Sequence, residues 1–339
     1  MKRVGLIGYG LAGRSFHAPL LQAAGFFIAA IATRSIEKRG LAHDEFPLAT
    51  MLASAEELVE EELDLVVIAS TNEVHAAQAR LAIDAGIPVI VDKPMAIDYY
   101  ETLSLFDYAD ARGVPITVFF NRLLDSDTLT LKRVIANGDI GEIFRFESSF
   151  ERFRPDSNPS AWRENTPSVL GGGLLLDLQT HLVSTALDLF GPAELEFSSL
   201  RKIRGEVEDD VLLVLKHASG VDSYLSVSAI SGAPGPRLRV NGRTAALIAK
   251  ELDPQEALLR AGVKPLSTGW QDSISATSEF RIYKGSDSIE YKGVPGNYVH
   301  FYNQVRDCLE GMAEMPVARE FALDVARIID RAREIDIHQ

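Results

Sequence analysis

Residues 4–13 read Val-Gly-Leu-Ile-Gly-Tyr-Gly-Leu-Ala-Gly, an apolar run that leads into a G-x-G-x-x-G pattern and then into a helical stretch at 12–24. In a strand–turn–helix unit, Gly8 permits the tight turn, Gly10 lets the backbone approach a pyrophosphate, and Gly13 lets helix and strand pack closely. The free N–H groups at the start of the helix attract phosphate. A plain glycine-rich turn would show the same letters, but the position in a strand–helix–strand unit favours dinucleotide binding.

Strand and helix patterns alternate over the first part of the chain, up to about residue 120. Apolar runs at 26–32, 63–69, 87–91 and 115–120 predict further strands, and a helix is predicted at 74–85. Continuous apolar runs are typical of parallel strands that are buried on both faces. The sequence therefore predicts an α/β fold with a Rossmann, doubly wound parallel sheet in an N-terminal dinucleotide-binding domain of residues 1–121.

The pattern changes after Asn121. A helix at 128–136 precedes strand-like segments, and two helices close the chain; the strands are at 142–151, 210–216, 221–230 and 237–240, and the helices are at 298–312 and 321–333. Turn residues at 219–220 and 231–236 predict hairpins. We expect a C-terminal α+β domain, residues 122–339, that binds substrate and has a large, mostly antiparallel open sheet. Burial of its uncovered face would make a homodimer or homotetramer.

The charge balance and the cysteine content exclude several classes of protein. The chain of 339 residues has 34 Lys and Arg against 48 Asp and Glu, a net charge of −14. Its basic residues are scattered, so it would repel a polyanion and no nucleic-acid partner is expected. One cysteine, Cys308, excludes an intramolecular disulfide and a CxxC metal site. No apolar run reaches the roughly 18 residues that span a bilayer, so we expect no membrane partner and a cytoplasmic protein.

The segment after the second predicted strand selects between the two common dinucleotides. An NAD site usually has an Asp or Glu here to hold the adenosine ribose. This chain has Thr33-Arg34-Ser35, followed by Lys38 and Arg39. A guanidinium beside a hydroxyl suits a 2′-phosphate, so NADP is favoured over NAD. The alternative is that Arg34 is an ordinary surface arginine.

Asp92-Lys93-Pro94 follows the strand that ends at Val91. Ligands of doubly wound sheets bind at the carboxyl ends of strands, where a lysine can donate to a substrate hydroxyl or help move its proton. Pro94 is expected to hold the preceding peptide bond cis. Taken alone, the tripeptide would be read as a surface lysine that caps a strand.

Residues 171–181 read Gly-Gly-Gly-Leu-Leu-Leu-Asp-Leu-Gln-Thr-His. Asp177 and His181 are four residues apart, so they share one face of a helix. A carboxylate beside an imidazole fixes its tautomer and raises its basicity, which suits a general base. The three glycines would let another chain or a ligand approach the helix start. Two alternatives are a zinc site, which lacks further ligands here, and an ordinary Asp–His pair on a helix flank.

These elements, in this order, resemble the Gfo/Idh/MocA family, named after glucose–fructose oxidoreductase and inositol dehydrogenase. The resemblance extends over essentially the whole chain. It includes residues 70–75, Ser-Thr-Asn-Glu-Val-His, which are similar to the family's T-P-N-x-x-H segment, and Phe120-Asn121-Arg122. The stretch 154–164 resembles a loop that covers the nicotinamide end in a sugar- and inositol-acting NADP subgroup.

The resemblance implies that Lys93, Asp177 and His181 are catalytic. No metal is expected, since hydride transfer needs only orientation and a proton acceptor. The motifs and the resemblance together predict a cofactor site formed by Gly8, Gly10, Leu11, Ala12, Gly13, Thr33, Arg34, Ser35, Lys38, Ser70, Thr71, Asn72, His75, Asp92, Lys93, Asn121, Trp162 and Arg163.

The chain departs from the family pattern at four positions. Its D-K-P replaces the usual E-K-P but keeps the lysine, and Thr71 replaces a proline. Gln179 stands where glycine is common, and Ser184 replaces a frequent aspartate one turn after His181. The last two concern substrate contacts rather than hydride chemistry.

The sequence thus predicts an NADP(H)-dependent oxidoreductase that interconverts a secondary alcohol of a sugar or inositol-like polyol with its ketone. In this hypothesis His181 takes the hydroxyl proton, Asp177 orients His181, and Lys93 hydrogen-bonds the same substrate oxygen. One alternative is a non-catalytic, cofactor-sensing regulatory protein on the same scaffold. Another is a reductase of an imine, a dihydrodiol or a biliverdin-like tetrapyrrole.

Overall fold

The computed structural model describes residues 1–158, 161–275 and 279–336. The chain divides into two compact units by its internal contacts. Unit 1 contains Met1–Asn121, Gln255–Asp272 and Asn297–Leu323, and unit 2 contains Arg122–Pro254, Ser273–Gly296 and Asp324–Gln339. The chain first leaves unit 1 where the sequence pattern changes. However, unit 2 differs from the predicted continuous domain 122–339, because two later segments pack in unit 1; there Arg306 donates to the Ala24 carbonyl (2.8 Å).

The strands, in chain order, are β1 (Arg3–Ile7), β2 (Phe27–Ala32), β3 (Thr50–Leu52), β4 (Leu65–Ile68), β5 (Val89–Asp92), β6 (Ile116–Phe119), β7 (Ile143–Glu151), β8 (Ala193–Arg201), β9 (Asp210–His217), β10 (Asp222–Ser228), β11 (Leu238–Gly242), β12 (Ala246–Ala249), β13 (Phe280–Lys284) and β14 (Asp287–Tyr291).

The α-helices are α1 (Ala18–Ala23), α2 (Ile36–Glu45), α3 (Ala55–Leu58), α4 (His75–Asp84), α5 (Tyr99–Asp110), α6 (Ser126–Asn137), α7 (Trp162–Asn165), α8 (Thr180–Phe190), α9 (Gln255–Arg260), α10 (Trp270–Ser275), α11 (Val299–Leu309) and α12 (Arg319–Glu334). Two π-helical turns, Ala12–His17 and Leu175–Gln179, precede α1 and α8, and short 3₁₀ turns span Asn72–Val74, Asn121–Leu124 and Ser168–Leu170. Within the described ranges, no helix combines the length and the apolar character needed to cross a membrane.

Unit 1 is built on a six-stranded parallel sheet with the order β3-β2-β1-β4-β5-β6. All four residues of β4 are buried, as expected for a strand that is covered on both faces. The strand order reverses between β1 and β4, and the carboxyl ends of strands at such a point form the ligand crevice of doubly wound sheets. The predicted Rossmann fold is confirmed.

Unit 2 is built on an eight-stranded sheet with the order β14-β13-β12-β11-β7-β10-β9-β8. Strands β7 and β10 are parallel, and the other neighbouring strands are antiparallel. Helix α8 packs on one face of this sheet, against β7 and β10. The prediction of a second unit with a large, mostly antiparallel sheet is confirmed.

One of the two predicted hairpins is wrong. Strands β9 and β10 form the first, joined through Ser219-Gly220, with Asp222 opposite Lys216. The segment 231–236 joins β10 to β11, but β7 lies between these strands and pairs with both. Its glycines and prolines correctly predict a reversal of the chain. They carry no information about a third strand that inserts between the two ends, because β7 comes from a distant part of the sequence.

A buried ion pair joins α6 to the sheet of unit 2. Arg237 Nε lies 3.0 Å from Asp127 Oδ2, and both side chains are at most 2% exposed. The same guanidinium donates to Ser148 Oγ at 2.6 Å and lies 4.1 Å from the ring centroid of Phe150. Removing one partner of a buried pair leaves the other charge desolvated, which costs more than the pair contributes.

We therefore expect Arg237→Met to lower the free energy of unfolding by about 3–5 kcal/mol, measured by urea denaturation. The matched control is Arg243→Met, because the Arg243–Glu142 pair is 74% exposed on both sides. The control should change the free energy by less than about 0.5 kcal/mol. Equal effects of the two substitutions would contradict a structural role for the buried pair.

Candidate active site

The loops at the carboxyl edge of the parallel sheet contain the cofactor-binding residues predicted in unit 1. The glycine loop follows β1, residues 33–38 follow β2, residues 70–75 follow β4, and Lys93 follows β5. Asn121 follows β6 and begins a 3₁₀ turn. Because parallel strands end at the same edge, the sheet brings these segments together at its ligand-binding side.

The three glycines of the loop differ in the space that a side chain would find at each position. A Cβ at Gly8, whose φ is +94°, would lie 2.5 Å from the Ala69 carbonyl oxygen, and one at Gly13 would lie 2.0 Å from the Gly8 carbonyl oxygen. Both positions therefore exclude any side chain. A Cβ at Gly10 would meet only Lys38 Nζ, at 3.9 Å. Gly10 thus faces open space beside an ammonium group, which is a suitable cradle for a phosphate group.

The cationic residues that follow β2 differ in their surroundings: Arg39 contacts the backbone of the loop, and Arg34 is exposed to solvent. Arg39 donates to the Thr33 carbonyl oxygen at 2.6 Å, and Ser35 Oγ accepts from the Lys38 backbone N–H at 3.2 Å as the N-cap of α2. Arg39 and Ser35 therefore shape the loop. Arg34 is exposed, and the Lys38 ammonium reaches towards the glycine loop. The sequence alone could not separate these roles.

Sequence reasoning missed Tyr9, the second residue of the glycine loop. Its buried hydroxyl donates to Glu45 Oε2 at 2.5 Å, and Arg14 holds the same carboxylate through Oε1 at 2.5 Å. Burial and the neighbouring Glu45 raise the pKa of the Tyr9 hydroxyl, so it remains a donor. This contact fastens the loop to the end of α2. No local spacing indicates it, because Glu45 is remote in sequence.

His75 is the buried first residue of α4, in the connection that follows β4. It is 1% exposed, with Nδ1 at 2.8 Å from the Pro94 carbonyl oxygen and Nε2 at 3.4 Å from that of Ser70. Burial lowers the pKa of the imidazole, so the neutral ring donates from Nδ1 to Pro94. The Lys93–Pro94 bond is cis, as predicted. His75 therefore donates to the backbone of the β5 loop, and its Nε2 lies beside the Ser70 carbonyl oxygen of the β4 loop.

Two further residues of the β4 loop differ in their surroundings. Asn72 is 4% exposed. Thr71 has a buried Oγ1 that makes no hydrogen bond within the described residues. An unsatisfied hydroxyl at this edge is chemically suited to a polar group of a bound cofactor.

In unit 2, the glycines at 171–173 accommodate groups of the same unit. A Cβ at Gly172 would lie 1.8 Å from the Thr166 carbonyl oxygen, and one at Gly173, whose φ is +82°, would lie 2.0 Å from Glu208 Oε1. Glu208 accepts from Ser168 Oγ at 2.6 Å, and burial raises the pKa of its carboxyl. The expectation was that another chain or a ligand approaches here. The structure has Thr166 and Glu208 at these points instead.

Asp177 and His181 lie on the helix that follows this turn. Asp177 is in the π-helical turn, and His181, 6% exposed, is in the first turn of α8 with its ring 6.2 Å from that of Phe150. Asp177 Oδ1 lies 3.0 Å from Arg163 Nε, and the Arg163 guanidinium lies 4.6 Å from the Trp162 ring centroid. Unit 2 therefore brings Arg163 into contact with both Asp177 and Trp162, and His181 follows one turn after Asp177 on the same helix.

Arg204, which sequence reasoning missed, supports that loop. Its side chain is 7% exposed and reaches Asp209 Oδ2 at 2.9 Å and Glu164 Oε2 at 3.3 Å. It also donates to the Arg154 carbonyl oxygen at 2.9 Å. The stretch 154–164 is thus held at both ends by one buried guanidinium; its residues 159 and 160 lie outside the described residues.

The two departures near His181 serve packing in this structure. Gln179 Nε2 donates to the Leu225 carbonyl oxygen of β10 at 2.9 Å, and Ser184 Oγ donates to the His181 carbonyl oxygen at 3.0 Å. Both side chains are fully buried. They anchor the helix to the sheet and to itself.

The described part of the chain has no group of three or more His, Cys, Asp or Glu that could hold a metal ion.

Two family models match the chain. Residues 2–120 match the oxidoreductase family with an NAD-binding Rossmann fold, and residues 128–248 match the GFO/IDH/MocA C-terminal domain. The two matches follow one another without overlap and together cover more than half of the chain.

Similar proteins match over nearly their whole length. The uncharacterized oxidoreductase YdgJ of Escherichia coli is 33% identical over 99% of this chain and 97% of its own. The scyllo-inositol 2-dehydrogenase (NADP(+)) IolW of Bacillus subtilis is 31% identical over 98% of this chain and 93% of its own. The solved structure of the YPO2259 oxidoreductase of Yersinia pestis superposes with a TM-score of 0.90 at 32% identity, over 99% of this chain and 95% of its own. These matches confirm the resemblance, and the chain belongs to the Gfo/Idh/MocA family of oxidoreductases.

Proposed function

We propose that this protein is an NADP(H)-dependent dehydrogenase that oxidises a secondary alcohol on a sugar or inositol-like polyol to a ketone, or reduces that ketone. The main supporting observation is the site helix of unit 2, where Asp177 is held by Arg163 one turn before the buried His181. A module that only senses a cofactor has no need of this arrangement together with Lys93. The names of IolW and of a 1,5-anhydro-D-fructose reductase relative, 27% identical over 76% of this chain, support the substrate class.

The described residues fit a dinucleotide. The open space at Gly10, the adjacent Lys38 ammonium and the unsatisfied Thr71 hydroxyl are suited to phosphate and polar groups. Gly8, Gly10 and Gly13, with the amides of Leu11 and Ala12, would hold the pyrophosphate. Arg34 and Lys38 would hold the 2′-phosphate, against which the chain presents no carboxylate between Thr33 and Ser35. When bound, the nicotinamide supplies the hydride acceptor or donor.

Three side chains of the protein would then accept the substrate proton and stabilise the charge that develops on the substrate oxygen. His181 would take the hydroxyl proton as the substrate carbon loses hydride, and Asp177 would hold the imidazole in the accepting tautomer. Lys93 would donate a hydrogen bond to the same oxygen and offset the negative charge that develops there. In the reverse direction His181 returns the proton to the ketone oxygen.

We expect Lys93→Met and His181→Gln each to lower kcat by about a hundredfold or more, because each removes a group that acts in the transition state. NADPH affinity, measured by fluorescence titration, should stay within about twofold. A screen of polyols, sugars and trans-dihydrodiols for NADPH production comes first and separates the proposed substrate class from its rivals. The matched control is Lys132→Met, since Lys132 pairs with Asp188 outside the site. Wild-type turnover in both site variants would refute the proposed roles.

Cofactor choice is tested by titrating NADPH and NADH. The wild type should bind NADPH at least about tenfold more tightly, and Arg34→Asp should erase most of that preference, since a charge-assisted contact contributes about 1.5–3 kcal/mol. Lys38→Met should weaken NADPH more than NADH. Arg80→Asp serves as a charge-reversal control on α4, where Arg80 contacts Ser104. Equal wild-type affinities would mean that the 2′-phosphate is not recognised.

We further propose that a second copy of the chain covers the outer face of the unit 2 sheet. Alternate residues of β9 and β10, Leu212, Val214 and Tyr224, point away from the face on which α8 packs, and they are only half-buried. Burial of such a face between copies is a common solution for an open antiparallel sheet.

The wild type should therefore sediment as a dimer or tetramer of the 37.1 kDa chain. Val214→Glu should shift it towards the monomer, whereas Ile36→Glu, at an exposed apolar residue of unit 1, should not. A monomeric wild type would contradict the proposal.

A further inference from the structure

His17 is a buried polar residue in unit 1 to which no role has been assigned above. It is the last residue of the π-helical turn that follows the glycine loop, and its side chain is 0% exposed. Its ring lies 4.8 Å from that of Phe119, and its Nδ1 contacts the Tyr302 hydroxyl from α11. A fully buried imidazole is costly unless its nitrogens have polar partners.

The second nitrogen of this imidazole faces Asp92. Nε2 lies 3.8 Å from Asp92 Oδ1 and makes no shorter polar contact within the described residues. Burial raises the pKa of the Asp92 carboxyl, but His17, Lys93 and His75 outweigh it, so that the pKa falls below its ordinary value. Asp92 is therefore ionised and can only accept a hydrogen bond.

This acceptor fixes which ring nitrogen of His17 serves the carboxylate. Because Asp92 cannot donate, the contact between them needs a proton on Nε2, the nitrogen that faces Asp92. Nδ1, on the other side of the ring, contacts the Tyr302 hydroxyl. Burial and Asp92 hold the pKa of the Tyr302 hydroxyl well above its ordinary value, so this hydroxyl keeps its proton. The contacts run from Tyr302 through His17 to Asp92.

Asp92 in turn contacts Lys93, the residue to which the proposed function assigns a role in the reaction. It ends β5, and its Oδ1 accepts from the Lys93 backbone N–H at 2.9 Å. The same oxygen is the one that faces His17. The orientation of this carboxylate therefore bears directly on the backbone from which the Lys93 side chain departs.

We propose that His17, fixed by Tyr302, is a positioning residue of the reaction that holds the Asp92 carboxylate and, through it, the direction of Lys93. This inference rests on the proposed function, in which Lys93 acts on the substrate oxygen. A residue that does not touch the substrate can still restrict the orientation of a side chain that does. Its loss then lowers the reaction rate more than the substrate affinity.

The test compares substitutions at His17 with a control at another buried histidine. His17→Leu removes both polar contacts, whereas His17→Gln keeps an amide donor near the position of Nε2. We expect His17→Leu to lower kcat at least about tenfold, with the substrate KM and the NADPH affinity within about twofold, and His17→Gln to recover most of the loss. Tyr302→Phe, which keeps the ring, should lower kcat several-fold. His217→Leu removes an imidazole bonded to the Gly191 carbonyl oxygen and Ser223 Oγ in unit 2, so it should lower Tm without changing kcat.

A second measurement does not depend on activity. The Lys93 amide should exchange with deuterium at least about tenfold faster in His17→Leu and in Tyr302→Phe than in the wild type, relative to the Val91 amide of the same strand. His217→Leu should leave this ratio unchanged. An unchanged ratio, or a His17→Gln variant no more active than His17→Leu, would overturn the proposal. If Lys93→Met kept full turnover while the exchange ratio still rose, the proposed function would fail and the contact between His17 and Asp92 would stand.

Discussion

A carbonyl oxygen occupies the space in which a side chain at position 13 would begin. The Gly8 oxygen lies 2.0 Å from the ideal Cβ position of Gly13, and Gly8 is in turn pressed against the Ala69 carbonyl. This backbone-to-backbone contact keeps β1, β4 and the start of the first helix close together. It also leaves Gly10 as the glycine of the loop that faces open space. The ligand-binding edge of unit 1 therefore depends on an interaction in which no side chain takes part.

Around that edge the charges are arranged locally, against the net charge of the chain. The protein carries −14, yet its acidic residues near the loop are engaged; Glu45 is held by Tyr9 and Arg14, and Asp92 faces His17. The exposed Arg34 and the Lys38 ammonium are left to act on an anion. A small dinucleotide senses these near charges, since screening at physiological ionic strength reduces the effect of charges more than about 8 Å away.

The parts of the fold that could be predicted are those encoded by local sequence. Continuous apolar runs identified the strands of unit 1, and the glycine spacing identified its loop, because both patterns act over a few residues. Three features depend on remote partners and could not be predicted. Strand β7 inserts between β10 and β11, residues 255–272 and 297–323 return to unit 1, and Tyr9 meets Glu45. His75 shows the same limit at the site, where its buried ring lies between two backbone carbonyl oxygens.

The contact between Arg163 and Asp177 bears on the division of labour in the proposed reaction. A carboxylate has two oxygens with several acceptor sites, so Oδ1 can pair with the Arg163 guanidinium while the group still serves its neighbour one turn later. A guanidinium complements the charge of a carboxylate and restrains it, which suits Asp177 to orient a neighbouring group. The proposal therefore assigns the proton to His181, which is buried beside Phe150. Arg163 comes from the loop that Arg204 fastens, so the proposed acceptor role of His181 depends on a segment outside its own helix.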